Sequence, residues 1–282
     1  MAIVYLIDVM TSPGRGLLDK LRVLLDHVGL GEIAVTGDFV AIKIHFGEHG
    51  NLAFIRSNYV RVVVDELLKL GAKPFVTDAN TLYKGSRSNA IDHLRTATLN
   101  GFTPEVVGAP VIIADGLRGT DEVDVAVNGD YVKQAKIASA IALANSLVVM
   151  THFKGHEQTG FGGALKNIGM SSAARAGKLE QHSTSKPQVV ADNCVACRMC
   201  ERNCPAGAIT VDGHAVIDYD LCIGCGQCVA MCNYGPMVPQ RDASSDLLSR
   251  KIAEYAKAAV DGKPAVFVSF ITQVSPDCDC WS

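Results

Sequence analysis

The sequence predicts an α/β protein, a mostly parallel sheet with helices on both faces, interrupted by a compact cysteine-rich insertion. Three observations carry that prediction. From Ala2 to about His152, short apolar runs alternate with segments of helical periodicity. Eight of the ten cysteines then fall between Cys194 and Cys232, a spacing of ligands and not of scattered core residues. After them one more helical pattern and one more apolar run follow, so the alternation resumes.

The elements follow in order. Ala2 to Val9 is a β-rich apolar run, and Leu17, Leu18, Leu21, Leu24, Leu25 and Val28 repeat at helical spacing. Phe39 to Phe46 reads as a strand. The helix through Tyr59, Val63, Leu67 and Leu70 stops at Gly71, the usual residue beyond a helix end. Lys73 to Thr77, Val111 to Ala114 and Leu147 to Thr151 are near-continuous apolar runs, as strands buried on both faces are. Beyond the cysteines, Leu247, Leu248, Ile252, Tyr255, Ala256 and Ala259 form an amphipathic helix, and Pro264 to Thr272 a strand. The expected domains are therefore 1–186, an insertion at 187–240, and the continuation of the first domain over 241–282. The sequence stops at Cys278-Asp279-Cys280-Trp281-Ser282 with no closing element, so that continuation is expected to be truncated.

Composition excludes several classes. With 282 residues, 48% hydrophobic and 20% charged, the chain is globular and not disordered. A net charge of −3 argues against non-specific nucleic-acid binding. No run reaches the ~18 apolar residues of a membrane span. The longest, Ile137 to Met150, carries Ser139, Asn145 and Ser146. Met1-Ala2-Ile3-Val4 lacks the basic leader of a secretory signal and meets Asp8 early, so a cytoplasmic location is expected.

The cysteines form two runs, Cys194-x2-Cys197-x2-Cys200-x3-Cys204-Pro205 and Cys222-x2-Cys225-x2-Cys228-x3-Cys232, each position repeating 28 residues later. Asp192 repeats likewise as Asp220, and the Asp212-Gly213 between the runs signals a hairpin turn. A tight loop with thiolates at x2 spacing can wrap three corners of a cubane but cannot also reach the fourth. Zinc sites also use CxxC pairs, yet do not call for the third cysteine or the cysteine–proline pair. The segment resembles the bacterial two-[4Fe-4S] ferredoxins over roughly Pro187 to Gln240. That resemblance implies two [4Fe-4S] clusters, one held by Cys194, Cys197, Cys200 and Cys232, the other by Cys222, Cys225, Cys228 and Cys204. It implies an α+β two-cluster ferredoxin-like domain with the clusters as its core. Cys232 departs from the pattern in being followed by Asn233, which is not a ligand position. Arg198 and Arg202 beside the first run suit tuning of that cluster, an acidic partner, or a plain solvated surface.

A second signal lies at the strand ends. In open α/β sheets ligands bind beyond the carboxyl ends of the strands. Lys43, His45, Glu48 and His49 close the second predicted strand; Asp78, Asn80, Tyr83 and Arg87 follow the third; Asp115 ends the Val111 run; His152, Lys154, His156 and Glu157 follow the Leu147 run. Taken singly, such residues are caps, turn formers or hydrogen-bonded core groups. Taken together they predict a shared pocket, with Lys43 and His45 sharing one face of their strand, as His152, Lys154 and His156 would if theirs continues. Gly160, Gly162 and Gly163 precede a predicted helix carrying Lys166, a loop suited to a small-molecule anion but without Walker A spacing. The absence of GxGxxG after the first strand argues against a nicotinamide site there. Cys278 and Cys280 suit surface thiols, a redox pair or metal ligands equally.

The strings Lys43-Ile44-His45-Phe46-Gly47-Glu48, Lys73-Pro74-Phe75-Val76-Thr77-Asp78-Ala79-Asn80 and His152-Phe153-Lys154-Gly155-His156 through Met170 resemble the family called domain of unknown function 362. Many of its members carry an inserted ferredoxin-like module at this place, and members usually continue past the Cys-Asp-Cys-Trp segment. The His156 to Lys166 stretch is loosely similar to the glycine-rich segment of nickel-pincer lactate racemases, with the lysine displaced. Three readings follow. In the first, an oxidoreductase passes electrons through the clusters to a ligand at the sheet's edge. Lys43, Lys154 and Lys166 would hold an anionic group, and His45, His152 or His156 would move protons or bind a further metal. In the second, a non-enzymatic electron carrier or cofactor-maturation partner docks to a larger redox protein. In the third, the clusters are purely structural.

Overall fold

The computed structural model describes residues 3–82, 85–156, 158–182, 186–223, 228, 232, 234–239 and 243–276. The elements up to the cysteines are α1 (Leu17–His27), β1 (Phe39–Lys43), α2 (Ser57–Lys69), β2 (Lys73–Asp78), α3 (Ala90–Leu99), α4 (Pro104–Val107), β3 (Val111–Ile113), β4 (Glu122–Ala126), β5 (Gln134–Ala138), α5 (Ser139–Ala142), β6 (Ser146–His152), β7 (Lys154–His156), β8 (Gly160–Gly162), α6 (Ala164–Gly169) and α7 (Arg175–His182). There follow β9 (Pro187–Val189), α8 (Met199–Arg202), β10 (Ile209–Asp212), β11 (His214–Ile217), β12 (Met237–Pro239), α9 (Ala243–Val260) and β13 (Ala265–Phe270).

Five strands form one parallel sheet in the order β13-β6-β1-β2-β3. Side chains alternate across it, which divides the core in two. Val40 and Ile42 of β1, Val148 and Met150 of β6, and Val266 and Val268 of β13 pack with α1 and α2 through Leu21, Leu25, Val60, Val63 and Leu67. Ala41, Leu147 and Val149 face the opposite layer, where Ile137, Ile168 and Tyr255 are buried. Helices therefore cover both faces, and all seven residues of β6 are buried, the apolar Leu147–Met150 together with Ser146, Thr151 and His152. The sheet's order reverses between β1 and β6, since β1 leads to β2 on one side and β6 docks on the other.

Local chemistry sets the helix ends. Asn89 Oδ1 accepts from the amides of Ile91 and Asp92 to start α3. α2 closes at Gly71, whose φ of +78° is left-handed as glycine allows. The apolar run at residues 3–9 forms no strand, contrary to the sequence expectation. The segment pairs with neither outer strand of the sheet, leaving Leu6 90% exposed. Asp8 of that run instead pairs with Lys20 of α1 at 2.6 Å.

β13 completes the sheet from beyond the cysteines, as the resumed alternation predicts. The ends of the cysteine-rich stretch meet, β9 pairing antiparallel with β12. Between them β10 and β11 form the predicted hairpin, turning at Gly213 with φ +70°. Among the described residues no helix is long and apolar enough to cross a membrane.

One glycine sets how closely α6 and α9 approach. A Cβ added at Gly169 would fall 2.2 Å from the carbonyl oxygen of Ile252. Gly169→Ala is expected to lower stability by about 1–3 kcal/mol through overpacking. The measurement is the urea midpoint at unchanged m; a change below about 0.5 kcal/mol would mean the contact yields.

Candidate functional site

The first cysteine run folds as a loop entering the single turn of α8. Ala196 and Arg198 there adopt φ of +53° and +60°, left-handed conformations that cost a non-glycine residue about 1–2 kcal/mol. Alternating handedness of this kind turns successive amides toward one concavity, the geometry that receives anions and iron–sulfur groups. The positions 28 residues later are Gly224 and Gly226, where that cost vanishes; their structure lies outside the described residues. Cys194, Cys197 and Cys200 line one cavity of about 320 Å³, mouth included, together with Cys232 from the second run. Val211, Ala215 and Met237 supply its apolar wall.

Among the described residues no three His, Cys, Asp or Glu are grouped to hold one metal ion. Four thiols against an apolar wall fit an iron–sulfur group in donor type. Cys204 does not line this cavity; its Sγ accepts the amide of Ala208 at 3.2 Å. Cys200 and Cys228 are buried in one apolar cluster with Ile209, Val211, Ile217 and Met237, against which Cys204 and Cys222 pack. Cys225, Cys278 and Cys280 lie outside the described residues.

The strand-end residues divide into two groups. The first is a buried ionic network. Lys43 is fully buried, with Nζ 2.9 Å from Asp78 Oδ1 and donating to Asn167 Oδ1 at 2.8 Å. Arg87 joins Asp78 to Glu48, its Nη1 lying 3.2 Å from Asp78 Oδ2 and its Nε donating to Glu48 Oε1 at 2.7 Å. His93 Nε2 sits 3.7 Å from Asp78 Oδ2. Asn80 donates to Asp115 Oδ1 at 2.9 Å. Burial disfavours the Asp78 carboxylate, yet Lys43, His93 and Arg87 together hold its pKa well below the usual range. Burial pushes Lys43 down against the pull of Asp78. Burial likewise lowers Lys178 to about 8, with Asp115 opposing. Lys43, Glu48, Asp78, Asn80, Arg87 and Asp115 were legible as strand-end polar residues. His93, Asn167 and Lys178 were not, because each sits on a helix, where an internal polar residue reads as surface.

The second group lies over β7 and β8. Strand β6 is followed after Phe153 by β7, which pairs antiparallel with β8, so Lys154 stands opposite Gly162 and His156 opposite Gly160. A Cβ on Gly162 would meet Lys154 Cγ at 3.4 Å and Lys166 Cδ at 3.5 Å, so both lysine stems pass over this bare backbone. His156 Nδ1 accepts the amides of Gln158 and Thr159 at 3.2 and 3.1 Å, which places the ring proton on Nε2. Burial, with Lys166, His182 and Lys154 adding repulsion, pushes His156 down to about 2. It is a neutral donor among cations. His152 Nε2 bonds the Thr272 carbonyl at 2.7 Å, and His45 Nδ1 accepts the amide of Gly47 at 2.9 Å. Of the three loop glycines only Gly160 has a positive φ, +78°; Gly163 is the extended cap of a helix of just six residues. The structure thus gathers Lys154, His156 and Lys166, and separates them in role from the sealed Lys43. Glu157 and Tyr83 lie outside the described residues.

This architecture is that of an α/β protein whose sheet is closed by chain on both sides of a cysteine-rich stretch. Residues 40–282 match the family described as Domain of unknown function (DUF362), and the chain belongs to that family. It is also 52% identical over 40 residues to a protein of Methanosarcina acetivorans named as part of an ion-translocating oxidoreductase complex, covering 14% of this chain and 15% of that protein. Over 71 residues it is 37% identical to "Probable anaerobic dimethyl sulfoxide reductase chain YnfG" of Escherichia coli, 24% of this chain and 33% of the other. Over 60 residues it is 40% identical to "Pyruvate synthase subunit PorD" of Methanothermobacter marburgensis, 21% of this chain and 72% of the other. The chain spans a third or less of the first two relatives, and such short partial matches fit an inserted ferredoxin-like module. The lactate racemase apoprotein of Thermoanaerobacterium thermosaccharolyticum aligns over 90% of this chain and 48% of its own, with TM-score 0.48 and 12% identity.

Proposed function

We propose that this chain is an iron–sulfur electron-transfer protein with two [4Fe-4S] clusters, serving a ligand site at the carboxyl edge of its sheet. Residues 187–240 form the inserted cluster domain, and 1–186 with 241–282 the α/β domain. Cys194, Cys197, Cys200 and Cys232 hold one cluster; Cys222, Cys225, Cys228 and Cys204 hold the other. When bound, such groups supply one-electron chemistry. The observation that carries the reading is the single cavity shared by three cysteines of the first run and Cys232 of the second. The order reversal between β1 and β6 supports the ligand site, since crevices form at such points and Lys154 follows β6 there. Lys154 and Lys166 bring two cationic stems over Gly162, where a small anion would meet both, and His156 stands beside them as a neutral ring. Lys43 and Asp78 brace the strand ends beneath.

A second reading, an electron carrier docking to a larger redox assembly, is favoured by the similarity to proteins named as parts of redox enzymes and complexes. Purification without oxygen is expected to give brown protein with about eight irons and eight sulfides per chain. Colourless protein, or zinc in their place, would overturn the reading. The two variants of the proposal separate by calorimetry with phosphate and with a small carboxylate as probes. A ligand site predicts binding that Lys166→Gln weakens at least tenfold; no binding of either probe favours the carrier.

A further inference from the structure

The two cysteine runs are duplicates in sulfur but not in charge. Position by position at a shift of 28, Arg198 corresponds to Gly226, Glu201 to Val229 and Arg202 to Ala230. Two guanidiniums and one carboxylate therefore flank the first run where the second has none. The structure shows where they go. Arg198 lines the cysteine cavity itself, 3.5 Å from Glu201. Arg202 Nη2 donates to the carbonyl of Cys197, a residue of the cavity wall, at 3.0 Å. Glu201 turns partly away, its Oε1 accepting the Val211 amide at 3.2 Å.

The approach to the second run carries one carboxylate more than the approach to the first. Asp218 stands where the first run has Val190, while Asp220 matches Asp192. The Asp218 carboxylate is fixed by the amides of Asp220 and Leu221, at 2.9 and 3.4 Å, and the Cys222 amide donates to its carbonyl at 3.0 Å. Net positive charge beside a redox group favours its more negative, reduced form, and negative charge opposes it. Both sets of side chains are largely exposed, so solvent and salt weaken the effect without cancelling the sign.

We propose that Arg198 and Arg202 make the Cys194 set the higher-potential site and that Asp218, unmatched before the first run, makes the Cys222 set the lower. A singly reduced chain then keeps its electron beside Arg202. This rests on the two-cluster reading above. The exchange is one electron, with no proton: the group at the Cys222 set is oxidised as that at the Cys194 set is reduced, the electron having come from an external one-electron reductant.

The test is a dithionite titration of the full chain, prepared without oxygen and followed by EPR. The unaltered protein should show two reduction steps. In Arg198→Gly/Arg202→Ala, which gives the first run the residues of the second, the upper step should fall about tenfold in equilibrium constant, 59 mV for one electron, while the lower stays. Ala230→Arg should raise the lower step instead, and adding salt should narrow the gap between the two in the unaltered protein. Should the double variant fail to retain iron, Ala230→Arg and the salt series decide alone. Eight irons with coincident steps, or steps that neither the variants nor salt move, overturn this inference only. Four irons, or zinc, overturn the two-cluster reading and this inference with it.

Discussion

Cys232→Ser, purified without oxygen, is expected to lose half of its iron and to keep the other half in a spectrum matching that of Cys194→Ser, not that of Cys222→Ser. Within one run the loop through Ala196 and Arg198 curls three sulfurs toward a common hollow, and the wall opposite them is closed by Cys232, 28 residues beyond Cys204. Cys204 lies elsewhere in the same apolar cluster, with its sulfur accepting the Ala208 amide. Serine at 232 leaves the first set one thiolate short, while Cys204, Cys222 and Cys228 are untouched. Cys204→Ser should do the reverse. Iron analysis with EPR decides: if Cys232→Ser instead matches Cys222→Ser, each run closes on itself and the crossed assignment falls.

Asp78→Asn should be the most destabilising single change in the α/β part, costing about 3–5 kcal/mol as the breaking of a buried ion pair does. The carboxylate is fully buried and faces Lys43 at 2.9 Å, Arg87 at 3.2 Å and His93 at 3.7 Å. An amide leaves Lys43, itself sealed from water, with Asn167 and the Ile44 carbonyl as neutral acceptors. Removing both charges in Lys43→Met/Asp78→Asn should recover part of the loss, because no unpaired lysine remains. Urea unfolding of the three proteins gives the comparison. A loss under about 1 kcal/mol for the single change would show that the network relaxes or admits water. The pH dependence follows from the same shift. The folded pKa of Asp78 lies below the ordinary 3.8, so its contribution is fully present above that value and is lost as pH falls through the folded pKa. Asp78→Asn should therefore flatten the stability profile on the acid side below about pH 4.

Much of the fold was legible because each signal was local. β6 could be read from its apolar run, α1 and α2 from leucines and valines at helical spacing, and the hairpin from Asp212-Gly213. The run at residues 3–9 misled for the same reason. Its composition is that of a strand, but composition does not pair a segment, and this one joins neither outer strand of the sheet. The strand-end residues were found but not their division of labour. Lys43 and Lys154 look alike as lysines near strand ends and both are buried, yet one pairs with Asp78 and the other lies over Gly162 beside Lys166. Asn167 and His93, which complete the buried network, arrive on helices and carry no periodic signature.

The sequence by itself determined the two cysteine runs and their shift of 28, the unequal charges flanking them, and the alternation that makes the sheet parallel, since all of these are matters of spacing and residue type. Only the tertiary structure showed Cys232 lining one cavity with the first run, the sheet order reversing between β1 and β6, and which of the buried lysines, Lys43 and not Lys154, pairs with Asp78. Those outcomes depend on contacts between residues far apart in the chain, and a linear pattern holds no distances across such gaps.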